Sequence, residues 1–130
     1  MIASPVSLRD IPATIVDLLG LEANAPFLGR SLARLWATKE PAVDLPAEPL
    51  LMEAGKPPGL TNQGREPVAK GPMQSLVAEG MHYIRAADGS EELYLLKSDP
   101  EEQNNLAMYS FASEPLRRFR SSLASMLKKR

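Results

Sequence analysis

The 130-residue chain contains no cysteine and a single histidine, His82. Without cysteine there is no disulfide framework, no thiolate metal site and no thiol nucleophile. One histidine leaves no material for a multi-histidine metal centre, and little for a Ser-His-Asp site. Charge of one sign is also missing: 15 Lys+Arg stand against 16 Asp+Glu, a net charge of -1. That balance gives no general pull toward nucleic acid or an acidic membrane surface. No run reaches the roughly 18–20 apolar residues that span a bilayer. The apolar N-terminal stretch is broken by Arg9, Asp10 and Asp17, so it does not read as a secretory signal, which has basic residues first and an unbroken apolar core after them. Compartment is therefore not encoded in a readable form. What is abundant is proline, at twelve residues, which predicts several irregular connections. A 44% hydrophobic content and this length suit one globular domain able to build a core without staples.

The first predicted element is a helix. Ser7 and Asp10 have the spacing of a capping box, and Pro12 is tolerated in a first turn because its missing N–H is not needed there. Ile11, Ile15, Leu18 and Leu19 follow at helical spacing, and Gly20 suits a left-handed helix end. A turn at Gly29-Arg30-Ser31 leads to a short helix through Leu32, Leu35 and Trp36, with Ser31 as its cap. Residues 39–49 carry Pro41, Pro46 and Pro49 and read as extended. Four strands are predicted: 49–54, 73–78, 81–86 and 92–96. Glu79-Gly80 joins the second to the third, and Asp88-Gly89 joins the third to the fourth through a type I′ turn. In the third strand, Met81, Tyr83 and Arg85 share one face, and His82, Ile84 and Ala86 the other. A last helix runs from about Ser113, as its cap, through Lys128, with Leu116, Phe119, Leu123, Met126 and Leu127 on one face.

These elements give an α+β class: a small antiparallel sheet of about four strands packed with an N-terminal and a C-terminal helix. The single domain 1–130 divides into a bridging helix and turn (1–36), the sheet with a long loop at 55–72 (49–107), and the C-terminal helix (113–130). Val6, Ile15, Leu18, Leu19, Leu93, Leu96, Phe119 and Leu123 are the expected core. Any apolar surface left without cover predicts self-association or burial against a neighbour.

The loop at 55–72 is the best place for a binding role. Eight of its 18 residues are Gly or Pro, and a structureless loop of that length in a compact domain is usually functional or disordered. Lys56, Arg65 and Lys70 give it cations. His82 is a second candidate, since its charge changes near neutral pH, although a lone strand histidine is more often structural. Asp99, Glu101 and Glu102 form an acidic group, but a calcium loop needs about six to eight oxygens at defined spacing, and a turn is the simpler reading. Arg117, Arg118, Arg120, Lys128, Lys129 and Arg130 make the last helix basic, which reads as a solvated face with cations favourably placed at a helix C-terminus.

Two stretches carry more than periodicity. Val6-Ser7-Leu8-Arg9-Asp10-Ile11-Pro12-Ala13-Thr14-Ile15-Val16-Asp17-Leu18-Leu19-Gly20-Leu21, followed by Gly29-Arg30-Ser31-Leu32, resembles the sulfatase pattern VSLxDxxxTxxDLxGL followed by GxSL. Tyr83-Ile84-Arg85, then Glu92-Leu93-Tyr94-Leu95-Leu96-Lys97-Ser98-Asp99-Pro100-Glu101-Glu102-Gln103-Asn104-Asn105-Leu106-Ala107, is similar to the C-terminal sulfatase signature KYI…ELYDLxxDPxExxNLA. Order and spacing agree across residues 6–35 and 73–107. Leu95 replaces the usual Asp, and His82 stands where Lys is common.

The resemblance implies the C-terminal subdomain of a sulfatase of the alkaline phosphatase superfamily. In that family a formylglycine, made from Cys or Ser in a Cys/Ser-x-Pro-x-Arg motif, and a divalent cation, usually calcium, both lie in the N-terminal catalytic domain. This chain holds no such motif. The resemblance therefore implies no catalytic, cofactor-binding or metal residue here. It implies an inert chain whose partner is the N-terminal catalytic domain, with Lys56, Arg65, Lys70 and His82 as possible contributors to the substrate rim. No nucleic-acid or membrane partner is expected. A free-standing interaction module that has lost its catalytic half is the alternative.

Overall fold

The computed structural model describes residues 6–21, 26–37, 49–55, 68 and 71–128. The chain forms two compact units, residues 1–50 and 51–130. The predicted loop cations Lys56, Arg65 and Lys70 lie outside the described residues, as do Lys129 and Arg130.

The first unit is organised around helix α1 (Asp10–Leu18) and a short helix α2 (Arg34–Ala37). The capping box at the start of α1 is half formed. Asp10 Oδ2 accepts the Ser7 N–H at 2.9 Å, while Ser7 Oγ reaches only the Arg9 N–H at 3.3 Å. Arg9 itself is helical (φ -65°), because a tight turn closed by Asp10 N–H to Ser7 O at 2.9 Å already precedes the helix. At the other end, Gly20 (φ 67°) gives the left-handed residue. Its N–H bonds to Asp17 O, and the Leu21 N–H to Val16 O, the paired bonds of a Schellman ending. Ser31 Oγ accepts the Ala33 N–H at 3.1 Å in the turn that precedes α2.

The second unit is a four-stranded sheet, β1 (Leu50–Ala54), β2 (Met73–Ala78), β3 (Met81–Arg85) and β4 (Glu91–Leu95), in that order, with helix α3 (Ser113–Lys128). The pairs β2–β3 and β3–β4 are antiparallel, with Leu76 opposite Tyr83 and Tyr83 opposite Leu93. That register puts the three side chains in one row, since alternate residues share a face. They form the core with Ala112, Leu116, Phe119 and Leu123, and Met126 and Leu127 pack at its margin. Tyr83 and Phe119 bring their rings to 5.6 Å across the sheet–helix junction.

The type I′ turn is at Glu79-Gly80, where both residues have positive φ (53° and 71°). The expected one at Asp88-Gly89 is instead a wider connection. Only Gly89 is left-handed there, and the Ala86 N–H bonds to Ser90 O. Asp88 is held by its own Asx bonds to Ser90. Ser113 is not a cap. It is already helical (φ -57°), because α3 is entered from a 3-10 turn at Ser110–Ala112.

The core expectation holds for Leu93, Phe119 and Leu123 and fails for Val6, Ile15, Leu18 and Leu19, which are exposed. The reason lies in α1, whose buried residue is the polar Thr14.

Candidate functional site

The residues that carry the sequence pattern are, one after another, bonded to backbone. In the first unit, Asp10 Oδ1 accepts the Arg30 N–H at 2.9 Å. The Thr14 hydroxyl donates to Asp10 O at 2.6 Å and accepts the Leu32 N–H at 2.8 Å. Gly29 lies against the start of the helix so closely that a Cβ there would sit 1.9 Å from Arg9 O. Asp10, Thr14 and Gly29 are thus one device, which seats the returning chain on α1 by satisfying two of its backbone N–H groups with side chains.

In the second unit the segment after β4 is held in the same way. Asp99 accepts the N–H groups of Gln103 and Asn104, both at 2.9 Å. Asn105 Oδ1 accepts the Leu93 N–H at 3.0 Å and the Ala107 N–H at 2.9 Å. β4 ends the sheet, so the Asn105 amide supplies the bond that a fifth strand would have made to Leu93.

His82 is the predicted site residue that the structure describes. Its side chain is 15% exposed, and Nδ1 is hydrogen-bonded with Glu102 Oε1 at 2.6 Å. Among the described residues Nε2, which is buried, has no hydrogen-bond partner. Glu102 sits 20 residues further along, at positive φ (53°) in the turn that Asp99 fixes. Sequence reading found no partner for His82 within reach. The signal was the acidic position before Asn105, brought back to β3 by that turn. Beside it, the Tyr94 hydroxyl donates to Glu92 Oε2 at 2.8 Å. Its phenol is pushed up to about 12 by burial, then by the bond to Glu92 and the nearby acidic charge.

A second cluster joins the sheet to α3. The Tyr83 hydroxyl donates to Glu91 Oε1 at 2.5 Å, Arg120 Nε donates to the same oxygen at 2.8 Å, and Arg120 Nη2 donates to Oε2. Bonding to Arg120 is the main cause that holds the Glu91 carboxyl below its ordinary 4.5, with help from Tyr83. Burial, then the bond to Glu91, pushes Tyr83 up to about 12. The other two arginines of the basic run are also paired, Arg118 with Glu79 at 2.8 Å and Arg117 with Glu114 at 2.7 Å. The basic face of α3 is therefore largely neutralised by carboxylates, two of them supplied by the sheet.

These carboxylates do not fit a calcium ion. Asp99 is occupied by backbone N–H groups, Glu102 by His82, Glu91 by Arg120 and Tyr83. Among the described residues no three His, Asp or Glu side chains are grouped to hold a metal. None of the described helices is long and apolar enough to cross a membrane.

Solved structures share this architecture. A candidate sulfatase from Bacteroides thetaiotaomicron VPI-5482 superposes with a TM-score of 0.73 at 24% identity, over 92% of this chain and 24% of its own. A 2-O GAG sulfatase gives 0.71 at 24% identity, with the same coverage. The fold is that of a sulfatase segment. A protein solved with its substrate, D-glucosamine-2-N,6-O-disulfate, gives 0.68 at 20% identity, over 92% of this chain and 23% of its own. The chain thus spans about a quarter of the length of the structures it matches. No protein-family model and no curated protein matches it.

Proposed function

We propose that this chain is the C-terminal subdomain of a sulfatase-like sulfuric ester hydrolase. It is non-catalytic by itself, completes the fold of the enzyme and lends residues to the rim of the substrate cleft. The observation that carries the reading is the coverage: 92% of this chain lies within a shared fold that occupies only 24% of a sulfatase chain. The bonding agrees with it. The pattern residues Asp10, Thr14, Gly29, Asp99 and Asn105 all fix backbone, and among the described residues none of them presents a free acid, base or nucleophile.

On this reading the partner is the N-terminal catalytic domain, which would supply both the formylglycine and the calcium site. Lys56, Arg65 and Lys70 form the rim, where their positive charge favours a sulfated ligand. His82 contributes through the Glu102 turn that it holds. Two structural neighbours are described with a GAG or a sulfated glucosamine, so a sulfated glycosaminoglycan fragment is the first substrate to try.

The reading is tested in two steps. Purified chain, supplied with calcium and an aryl sulfate, should give no turnover above buffer; turnover that follows the protein through purification overturns the reading. The reading frame that contains this chain should encode Cys/Ser-x-Pro-x-Arg upstream. In that whole enzyme, changing Lys56, Arg65 and Lys70 together to Ala should raise KM for the glycosaminoglycan fragment with kcat little changed, and an unaltered KM removes the rim role.

A further inference from the structure

The connection from β4 to α3 holds two aromatic rings in the solvent. It runs through two 3-10 turns, Leu106–Met108 and Ser110–Ala112, and its backbone is fixed at several points. Asn105 Oδ1 accepts the Ala107 N–H, Leu106 O the Tyr109 N–H, and Tyr109 O the Ala112 N–H. Leu106, Ala107 and Ala112 pack on the core. Between these anchors Met108, Tyr109 and Phe111 are 87, 57 and 67% exposed. The Tyr109 and Phe111 rings lie nearly parallel, with centroids 5.4 Å apart and 12° between their planes. Two large apolar side chains are thus presented as one stacked, pre-organised unit, which has its conformation settled before any ligand arrives.

The polar groups of the same segment select the ligand. Tyr109, Ser110 and Ser113 are exposed and add three hydroxyls. The first charges beyond them, Glu114 and Arg117, neutralise each other through two parallel bonds. The surface is therefore aromatic, hydroxylated and without net charge. A nucleic acid needs unpaired cations beside the rings, and a membrane surface needs a broad apolar face with a cationic border. A stable interface between separate proteins needs roughly 800 Å² per partner, well above what these three side chains offer. A pyranose ring matches all the features present. Its axial C–H bonds form a flat, weakly positive apolar face that suits the negative face of an aromatic ring, and its rim is made of hydroxyls. We infer that Tyr109 and Phe111 are a carbohydrate platform on which an uncharged pyranose face of an oligosaccharide stacks. This site is additional to the cationic rim of the preceding section and does not require it.

The test titrates the whole chain with three probes, chitohexaose, cellohexaose and a chemically desulfated heparin oligosaccharide, and follows backbone amide shifts by NMR. At least one probe should shift the amides of residues 108–113 saturably. Y109A/F111A should weaken that binding by about tenfold or more, as the loss of two aromatic contacts requires, and Tyr109→Trp, which keeps a flat ring, should retain it. Both rings are exposed, so the double variant should melt with the parent chain. If it melts early, F111L, which keeps the bulk and removes the π face, serves for the comparison. The platform is overturned if none of the three sugars gives a saturable shift, or if Y109A/F111A and F111L bind as the parent does. Binding that disappears instead when Lys56, Arg65 and Lys70 are changed to Ala moves the sugar to the rim and overturns it too. So do shifts at 108–113 that grow with protein concentration alone, which assign the rings to a second copy.

Discussion

Asn105 is the side chain on which the segment after β4 depends, and its replacement tests whether the pattern residues are architectural. In N105A the N–H of Leu93 loses its acceptor at 3.0 Å, and that of Ala107 loses one at 2.9 Å. Leu93 is 1% exposed, so water is poorly placed to take over the first bond, whereas Ala107 is half-buried and can be reached. One buried donor left unsatisfied costs roughly 1–3 kcal/mol, and a rehydrated one much less. About 2 kcal/mol is therefore expected, a fall in Tm on the order of 10 °C for a unit of this size. N105D keeps the acceptor oxygen and gives up only the weak donation to Glu91 O at 3.5 Å. It should retain more than half of the lost stability at neutral pH. Thermal unfolding followed by far-ultraviolet circular dichroism measures both. A change of less than about 0.5 kcal/mol in N105A, smaller than an ordinary hydrogen-bond contribution, refutes the reasoning. So does an N105D as damaged as N105A, because the acceptor oxygen would then not be the cause.

Three further outcomes follow from the same bonds. Tyr83 and Tyr94 keep their protons to about pH 12 in the folded chain, chiefly through burial, while an unfolded phenol titrates near 10. Their contribution to stability is complete below pH 10 and is lost as pH rises from 10 toward 12. Phenolate absorbance against pH should show the late titration, and Y83F should make alkaline unfolding less steep. Glu91 behaves oppositely: its folded pKa is depressed below 4.5, so its contribution is present above that value and is lost as pH falls through the folded pKa. E91Q should flatten the acid limb of a stability–pH curve, and an acid limb identical to that of the parent chain would remove Glu91 as its source. G29A places a Cβ 1.9 Å from Arg9 O, so the 29–32 return must leave α1. Loss of the exchange protection of the Arg30 and Leu32 amides checks this, and T14V should expose the Leu32 amide alone.

The strands and long helices were legible because a two-residue or 3.6-residue period reports which side is dry. Leu93, Phe119 and Leu123 were assigned to the core in this way, and α3 matches its expected bounds from Ser113 to Lys128. The same logic misplaced α1. Periodicity locates an apolar stripe but not its cover, and Thr14 turns inward here because its hydroxyl serves the Leu32 N–H. Turn chemistry was misread at Asp88-Gly89, where the Asx bonds to Ser90 favour the wider connection and leave the type I′ geometry to Glu79-Gly80. The partners of His82 and Arg120 were not legible. Glu102 is 20 residues from His82, and Glu91 is 29 from Arg120, separations that only the closed sheet brings together.

The pattern residues share one physical role, which is to hold backbone. Asp10 and Asp99 each accept two backbone N–H groups, and Asn105 and Thr14 each bridge segments at least 12 residues apart. Such bonds demand a particular side chain at a particular spacing, because a longer or shorter residue leaves a donor orphaned. They set the loops at the ends of the sheet and at the head of α1. Leu95 is exposed at the end of β4, and the turn uses only its backbone carbonyl, to which the N–H groups of Ser98 and Asp99 both donate. A leucine in place of the usual aspartate therefore leaves the Asp99 turn intact. L95D should accordingly fold with an unchanged Tm, within about 0.5 kcal/mol of the parent as for an ordinary surface substitution. A larger loss would mean that the Leu95 side chain, and not the carbonyl alone, holds the turn.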